Sequence, residues 1–171
     1  DYNWQLVLAD SLMQLQPDST LFILQNISNQ ELATRADSAY YALLMTQAKD
    51  QNCVLQTDDS LIRIAAYYYD AIGDIILQAK AHYYYGCVWR DKNNYPKAIV
   101  EYRKARTFAE EAKDVNLLSC IYSNVGHLYY SQELDEEADS IYKLAEQLAV
   151  QQQDTTGMVY ALLQRGMINL K

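Results

Sequence analysis

The sequence predicts an all-α fold, an array of antiparallel helical hairpins that repeats every 40 residues. Three observations predict it. First, 50% of the 171 residues are hydrophobic while only 5 are Gly and 2 are Pro, a composition that favours ordered helices over turns. Second, a pattern recurs at fixed spacing. Gly86, Trp89, Ala98, Tyr102 and Ala105 are followed 40 residues on by Gly126, Tyr129, Ala138, Tyr142 and Ala145, and Gly166 stands one further interval away. Asp74, Asp114 and Asp154 keep the same interval. Third, apolar residues within 75–91 and 115–131 fall at helical spacing: Ile76, Ala79, Tyr83 and Gly86, then Leu118, Ile121, Tyr122, Val125 and Tyr129.

The elements follow in order along what reads as one domain, 1–171. Short helices are expected near 4–15 and 18–28, the second opened by Pro17, whose missing N–H suits a first helical position. This hairpin, 1–33, has the atypical character of a terminal unit, and Phe22 falls on its aromatic site. Residues 34–73 read as a degenerate repeat with helices over 34–52 and 58–73. There Thr46 takes the glycine site, Ile62 the aromatic site and Ala65 the second alanine site, and Thr34 with Asp37 makes a capping box.

Two full repeats follow, 74–113 and 114–153, and then 154–171, the first helix of a truncated or capping repeat. Asp74, Asp114 and Asp154 are predicted N-caps. In the segment DKNNYP, Asn93 and Asn94 suit a turn and Pro96 a first helical position. In SQELDEE, Asp135 is the predicted N-cap, with Glu136 and Glu137 favouring the positive helix end. Loops this short force neighbouring helices antiparallel.

A glycine inside a helix costs roughly 1 kcal/mol in propensity, so Gly86 and Gly126 need a packing reason. The expectation is that Gly86 faces Ala98, and Gly126 faces Ala138, where the two helices of a hairpin cross. Trp89 and the tyrosines then fill the wider spaces as a packing stripe.

The Gly–aromatic–Ala–aromatic–Ala pattern resembles the tetratricopeptide repeat (TPR), most closely over 75–114 and 115–154. That family's period is about 34 residues, so the 40-residue spacing implies longer helices, and the proline that often closes the family's repeat is missing. The resemblance implies a right-handed superhelical array whose first helices line a concave groove. The stretches ADSLMQLQPDSTLFILQNI, YYALLMTQAKDQN and DDSLIRIAAYYYD make the chain similar to bacterial extracytoplasmic TPR proteins. Those include lipid-anchored proteins and sensor parts of membrane-tethered transcription regulators. An extracytoplasmic location, periplasmic or lipid-anchored, is therefore expected, with the cytoplasm as the alternative. A chain that begins at Asp1 without Met fits a processed product.

Composition and motifs exclude other classes. With 14 basic residues scattered among 22 acidic ones and a net charge of −8, there is no basic face for nucleic acid. No apolar run reaches the length of a membrane span. The three cysteines, Cys53, Cys87 and Cys120, form no CxxC or Cys/His cluster, and their odd number does not suggest a disulfide framework. His82 and His127 are the only histidines, and no third or fourth ligand converges with either at metal-site spacing; His127 with Cys87 and Cys120 is the sole conceivable trio. Phosphate-binding, nucleophile-elbow and zinc-protease motifs are lacking, so neither an enzyme nor a cofactor is expected.

The expected function is protein or peptide binding. Groove positions carried over from the family are Lys80, Tyr83, Cys87, Arg90 and Asp91 in one repeat. The next repeat adds Ser123, Asn124, His127, Tyr130 and Ser131. Chaperone-binding members use a basic carboxylate clamp. Here Tyr83, Cys87 and Cys120 stand at three of its positions and only Asn124 matches, which argues against that partner class. Tyr83, Arg90 and Tyr130 are the expected anchors of a non-catalytic scaffold. The alternative is a sensory input domain of a membrane-tethered regulator.

Overall fold

The computed structural model describes residues 2–170. Among them are nine α-helices and no strand. The chain divides into two compact units, the first ending at Ala105 and the second starting at Arg106, so the division falls within one helix. The first unit holds α1 (Trp4–Leu12), α2 (Pro17–Gln25), α3 (Arg35–Gln51), α4 (Ser60–Ile72), α5 (Ile75–Asp91) and the start of α6 (Tyr95–Ala112). The second holds the rest of α6, α7 (Val115–Ser131), α8 (Asp135–Gln151) and α9 (Thr155–Asn169).

In the first unit α3 packs on α1 and α5, while α2 touches α1 and α3, and α4 touches α3 and α5. Helices α2 and α4 thus each fill the space between successive odd ones. In the second unit α8 packs on both α7 and α9. No helix among the described residues is long and apolar enough to cross a membrane.

Helix starts follow the capping chemistry with two shifts. The Thr34 hydroxyl accepts from the Asp37 N–H at 3.0 Å, and the Asp37 carboxylate accepts from the Thr34 N–H at 3.2 Å, completing the capping box. Asp37 also accepts from the Asn3 N–H at 2.8 Å, which ties the N-terminal hairpin to α3. Asp74 and Asp114 cap α5 and α7 by accepting from Leu77 and Leu117 N–H, each at 3.0 Å. Asp154 holds the N-cap position of α9 without a side-chain bond. Asp135 is the first residue of α8 behind Leu134, so it acts as a first-turn acid and not as the cap. Pro96 is the second residue of α6, where its missing N–H is still among the groups no helix satisfies.

Helix ends carry the period even more clearly. Cys53, Gly73, Asn93, Lys113, Glu133 and Gln153 all have positive φ, between 55° and 74°, and lie at every twentieth position. After five of them the next N–H returns to a carbonyl five residues back: Val54 to Lys49, Asn94 to Trp89, Asp114 to Ala109, Leu134 to Tyr129 and Asp154 to Ala149, at 2.9–3.0 Å. This is the Schellman closure, which a left-handed residue permits. Only Gly73 adopts that conformation without steric cost. Lys113→Gly and Glu133→Gly are therefore expected to raise stability by about 0.5–1 kcal/mol each, read as a higher urea midpoint at unchanged slope.

The helical glycines meet a different partner from the one expected. A Cβ on Gly86 would lie 2.6 Å from the Tyr102 ring, and one on Gly126 would lie 2.6 Å from the Tyr142 ring. Ala98 and Ala138 sit one turn before those tyrosines and are fully buried, but the atoms nearest the notch in α5 and in α7 belong to the ring. Thr46, Ile62 and Ala65 are buried at their equivalent sites. Phe22 is not: it is 68% exposed, and Leu6 and Leu24 with Tyr40, Leu44 and Met45 form the N-terminal core instead.

Candidate partner-binding surface

The residues expected to line a groove sit on α5 in the first unit and on α7 in the second. On α5 they lie at different depths. Lys80 is half-buried, whereas Tyr83 is 7% exposed and Cys87 not at all. The Tyr83 ring stands edge-on to Tyr84 at 4.9 Å and lies 5.8 Å from Tyr102. The Tyr102 hydroxyl donates to Cys87 Sγ at 3.4 Å. Burial pushes the Cys87 thiol up to about 12, which keeps it neutral and unreactive near pH 7. Tyr83 and Cys87 therefore serve the packing of Tyr102 and offer a partner little surface.

Arg90 is also committed within the unit. Its Nη2 lies 2.8 Å from both Asp50 Oδ1 and Asp91 Oδ1. The other Asp91 oxygen accepts from the Gln56 N–H at 3.1 Å. Asp50 occupies on α3 the place that Arg90 occupies on α5, 40 residues later. The network thus joins the ends of two successive odd helices to the segment between α3 and α4. Truncating Arg90 would leave two half-buried carboxylates facing each other, so alanine there acts on folding as well as on any binding.

On α7 the candidates stay closer to the surface. Ser123 donates to the Tyr160 hydroxyl of α9 at 3.2 Å, and Asn124 donates to the Cys120 carbonyl at 3.0 Å. His127 is exposed and Tyr130 half-exposed. Ser131 folds back onto the Leu128 carbonyl at 2.9 Å. Tyr160 was not among the expected residues; it packs edge-on to Tyr142 at 6.4 Å while its hydroxyl meets Ser123. The repeat offered the signal, since Tyr160 stands one interval after Cys120 and two after Lys80.

Two further clusters were not legible as sites. Trp89 stacks with Tyr85 at 5.9 Å and has the ammonium groups of Lys92 and Lys97 over its ring, each 4.2 Å from the centroid. Lys92 also pairs with Asp59 at 2.7 Å. The second cluster surrounds His82, which is 2% exposed. Its Nδ1 lies 2.6 Å from Glu101 Oε2 and its Nε2 lies 3.1 Å from Asp70 Oδ1. An ionised carboxylate only accepts, so one facing each ring nitrogen favours the imidazolium, the form in which both nitrogens donate. These clusters join helices within the first unit.

In the second unit, a shallow depression between α8 and α9 is lined by Lys143, Glu146 and Arg165 among others. Its guanidinium already pairs with Asp139 at 2.8 Å and Glu146 at 2.6 Å, which leaves it poorly placed to recruit an anion. Among the described residues no group of three His, Cys, Asp or Glu side chains is placed to hold a metal ion. No protein-family model matches the chain, and no curated protein matches it.

Proposed function

We propose that the chain is a TPR-type scaffold, a right-handed superhelical array of hairpins that binds a protein or peptide partner without catalysing a reaction. The observation that carries this reading is the repeated glycine–tyrosine lock. Gly86 with Tyr102, and Gly126 with Tyr142, join successive helices at the same offset, each ring filling the space where a glycine Cβ would lie 2.6 Å from it. Hairpins built alike expose equivalent helix faces, and such faces suit extended contact with another chain. The ionisable groups His82, Glu101 and Arg90 bind helices together, which fits a structural duty for them.

Within the second unit the face best suited to a partner is that of α7, where Asn124, His127 and Tyr130 reach the surface. Aromatic and polar groups on a fixed helix supply anchors at small entropic cost. The double variant His127→Ala/Tyr130→Ala is expected to melt within about 1 °C of the wild type, because neither residue is fully buried. It should also lose most of the partner captured by the wild-type chain from a lysate of its source organism. Unchanged capture by the double variant would remove α7 from the binding surface.

A further inference from the structure

Helix α9 turns a stripe of apolar residues to solvent. Val159, Leu162, Leu163, Gly166, Met167 and Leu170 recur at helical spacing, and Leu162, Leu163 and Leu170 are 51%, 63% and 88% exposed. The opposite side of α9 is firmly held. Ala161 is fully buried, and Arg165 reaches Asp139 and Glu146 on α8. A helix anchored on one side, with large apolar groups in a row on the other, marks an interaction surface.

The chain itself shows what such a face accepts. Gly166 is equivalent to Gly86 and Gly126, each of which takes a tyrosine ring from the helix that follows it, while nothing lies within 4 Å of a Cβ placed on Gly166. Leu162 is equivalent to Tyr122, which is only 7% exposed on α7. The helix that fills the notch at Gly126 presents Tyr142 with Ala138 four residues before it and Ala145 three residues after. Those small residues let the two backbones approach closely enough for the ring to enter. The notch on α9 has the same glycine and a more apolar surround.

We propose that α9 docks an amphipathic partner helix carrying an aromatic ring between small residues four before and three after it, the ring seated over Gly166 and the helix covering Leu162. This face is distinct from the α7 residues named above, so either surface stands if the other fails.

The probe is a fluorescein-labelled peptide spanning residues 133–153, which contains this chain's own α8. Titrated with the full chain and followed by anisotropy, it should bind saturably. A Tyr142→Ala version of the peptide should bind about tenfold more weakly or worse. In the protein, Gly166→Leu fills the notch and should also lower affinity about tenfold, with a thermal melt no lower than that of the wild type because the site is open and leucine is the better helix former. Absence of saturable binding, or equal affinity for wild type and Gly166→Leu, overturns the proposal. A lowered melt for Gly166→Leu overturns it too, since the notch would already be filled. So does a chain that sediments as a dimer and reverts to monomer on Leu162→Asp, because a second copy would then be the occupant.

Discussion

Gly126→Ala is expected to destabilise the fold although alanine is the better helix former. Propensity alone would favour the change by about 1 kcal/mol. Against it stands a Cβ placed 2.6 Å from the Tyr142 ring, in a contact where the ring is 0% exposed and has no space to swing aside. Either the ring leaves its rotamer or α7 and α8 move apart, and overpacking of this kind costs about 1–3 kcal/mol. Gly126→Leu should exceed that range, and Gly86→Ala should match Gly126→Ala because Tyr102 fills its notch identically. Gly166→Ala supplies the contrast: with nothing within 4 Å of its Cβ, it should gain about 0.5–1 kcal/mol from propensity. Urea denaturation of the three alanine variants separates these outcomes. A Gly126→Ala protein as stable as wild type would show that the ring does not depend on the notch.

The period made most of the fold legible. Helices α5 and α7 span the expected 75–91 and 115–131, because Asp74 and Asp114 cap them and left-handed residues close them at fixed intervals. A period identifies equivalent positions but does not say which of two residues on the next helix faces a glycine. That choice depends on the crossing of the helices, which sets the tyrosine rings, one turn past the alanines, against the glycines. Phe22 shows the complementary limit. The glycine position of α1 is held by Leu6, fully buried, so no notch is present and the ring at Phe22 lies outside.

The candidate surface was less legible, because depth is set by the covering helix. Helical spacing turns Tyr83 and Cys87 away from the hairpin seam, yet Tyr102 on α6 reaches both. The partner of Arg90 was in principle readable, since Asp50 stands one interval before it and opposite charges at equivalent places on adjacent odd helices are poised to pair. The cluster at His82 carried no such signal. Forty residues on, the positions of His82 and Glu101 hold Tyr122 and Ile141, so the repeat points to an apolar contact there.

That substitution pattern supplies the second large effect. His82→Tyr leaves the Glu101 carboxylate, 10% exposed, with only Lys104 at 3.0 Å. Glu101→Ile takes from the buried imidazolium its shorter carboxylate contact and keeps Asp70, whose side chain is 43% exposed and screened by solvent. Breaking a buried pair from one side typically costs about 3–5 kcal/mol, whereas replacing both members with packed residues is often close to neutral. Each single variant is therefore expected to lose about 3 kcal/mol, and the double variant His82→Tyr/Glu101→Ile, which installs the residues of the next repeat, less than half of that.

The pH dependence carries the same signature. Burial pushes the His82 pKa down, but the hydrogen bonds and charges of Glu101 and Asp70 outweigh it and leave the pKa above the ordinary histidine value. Burial likewise opposes the charge on Glu101, and His82 with Lys104 outweighs it to hold the carboxyl below its usual range. A raised histidine contributes fully below its unfolded value of about 6.5, and the contribution is lost as pH rises through the higher folded value. A depressed carboxyl contributes above its unfolded value of about 4.3 and loses that contribution as pH falls through the lower folded one. Stability from the cluster is thus greatest between about pH 5 and 6.5. The wild-type melting temperature should fall from about pH 6 to about pH 8.5, and the double variant should show a flatter profile over that window. Parallel profiles for the two proteins would mean that the imidazole between Glu101 and Asp70 is not the cation its geometry favours.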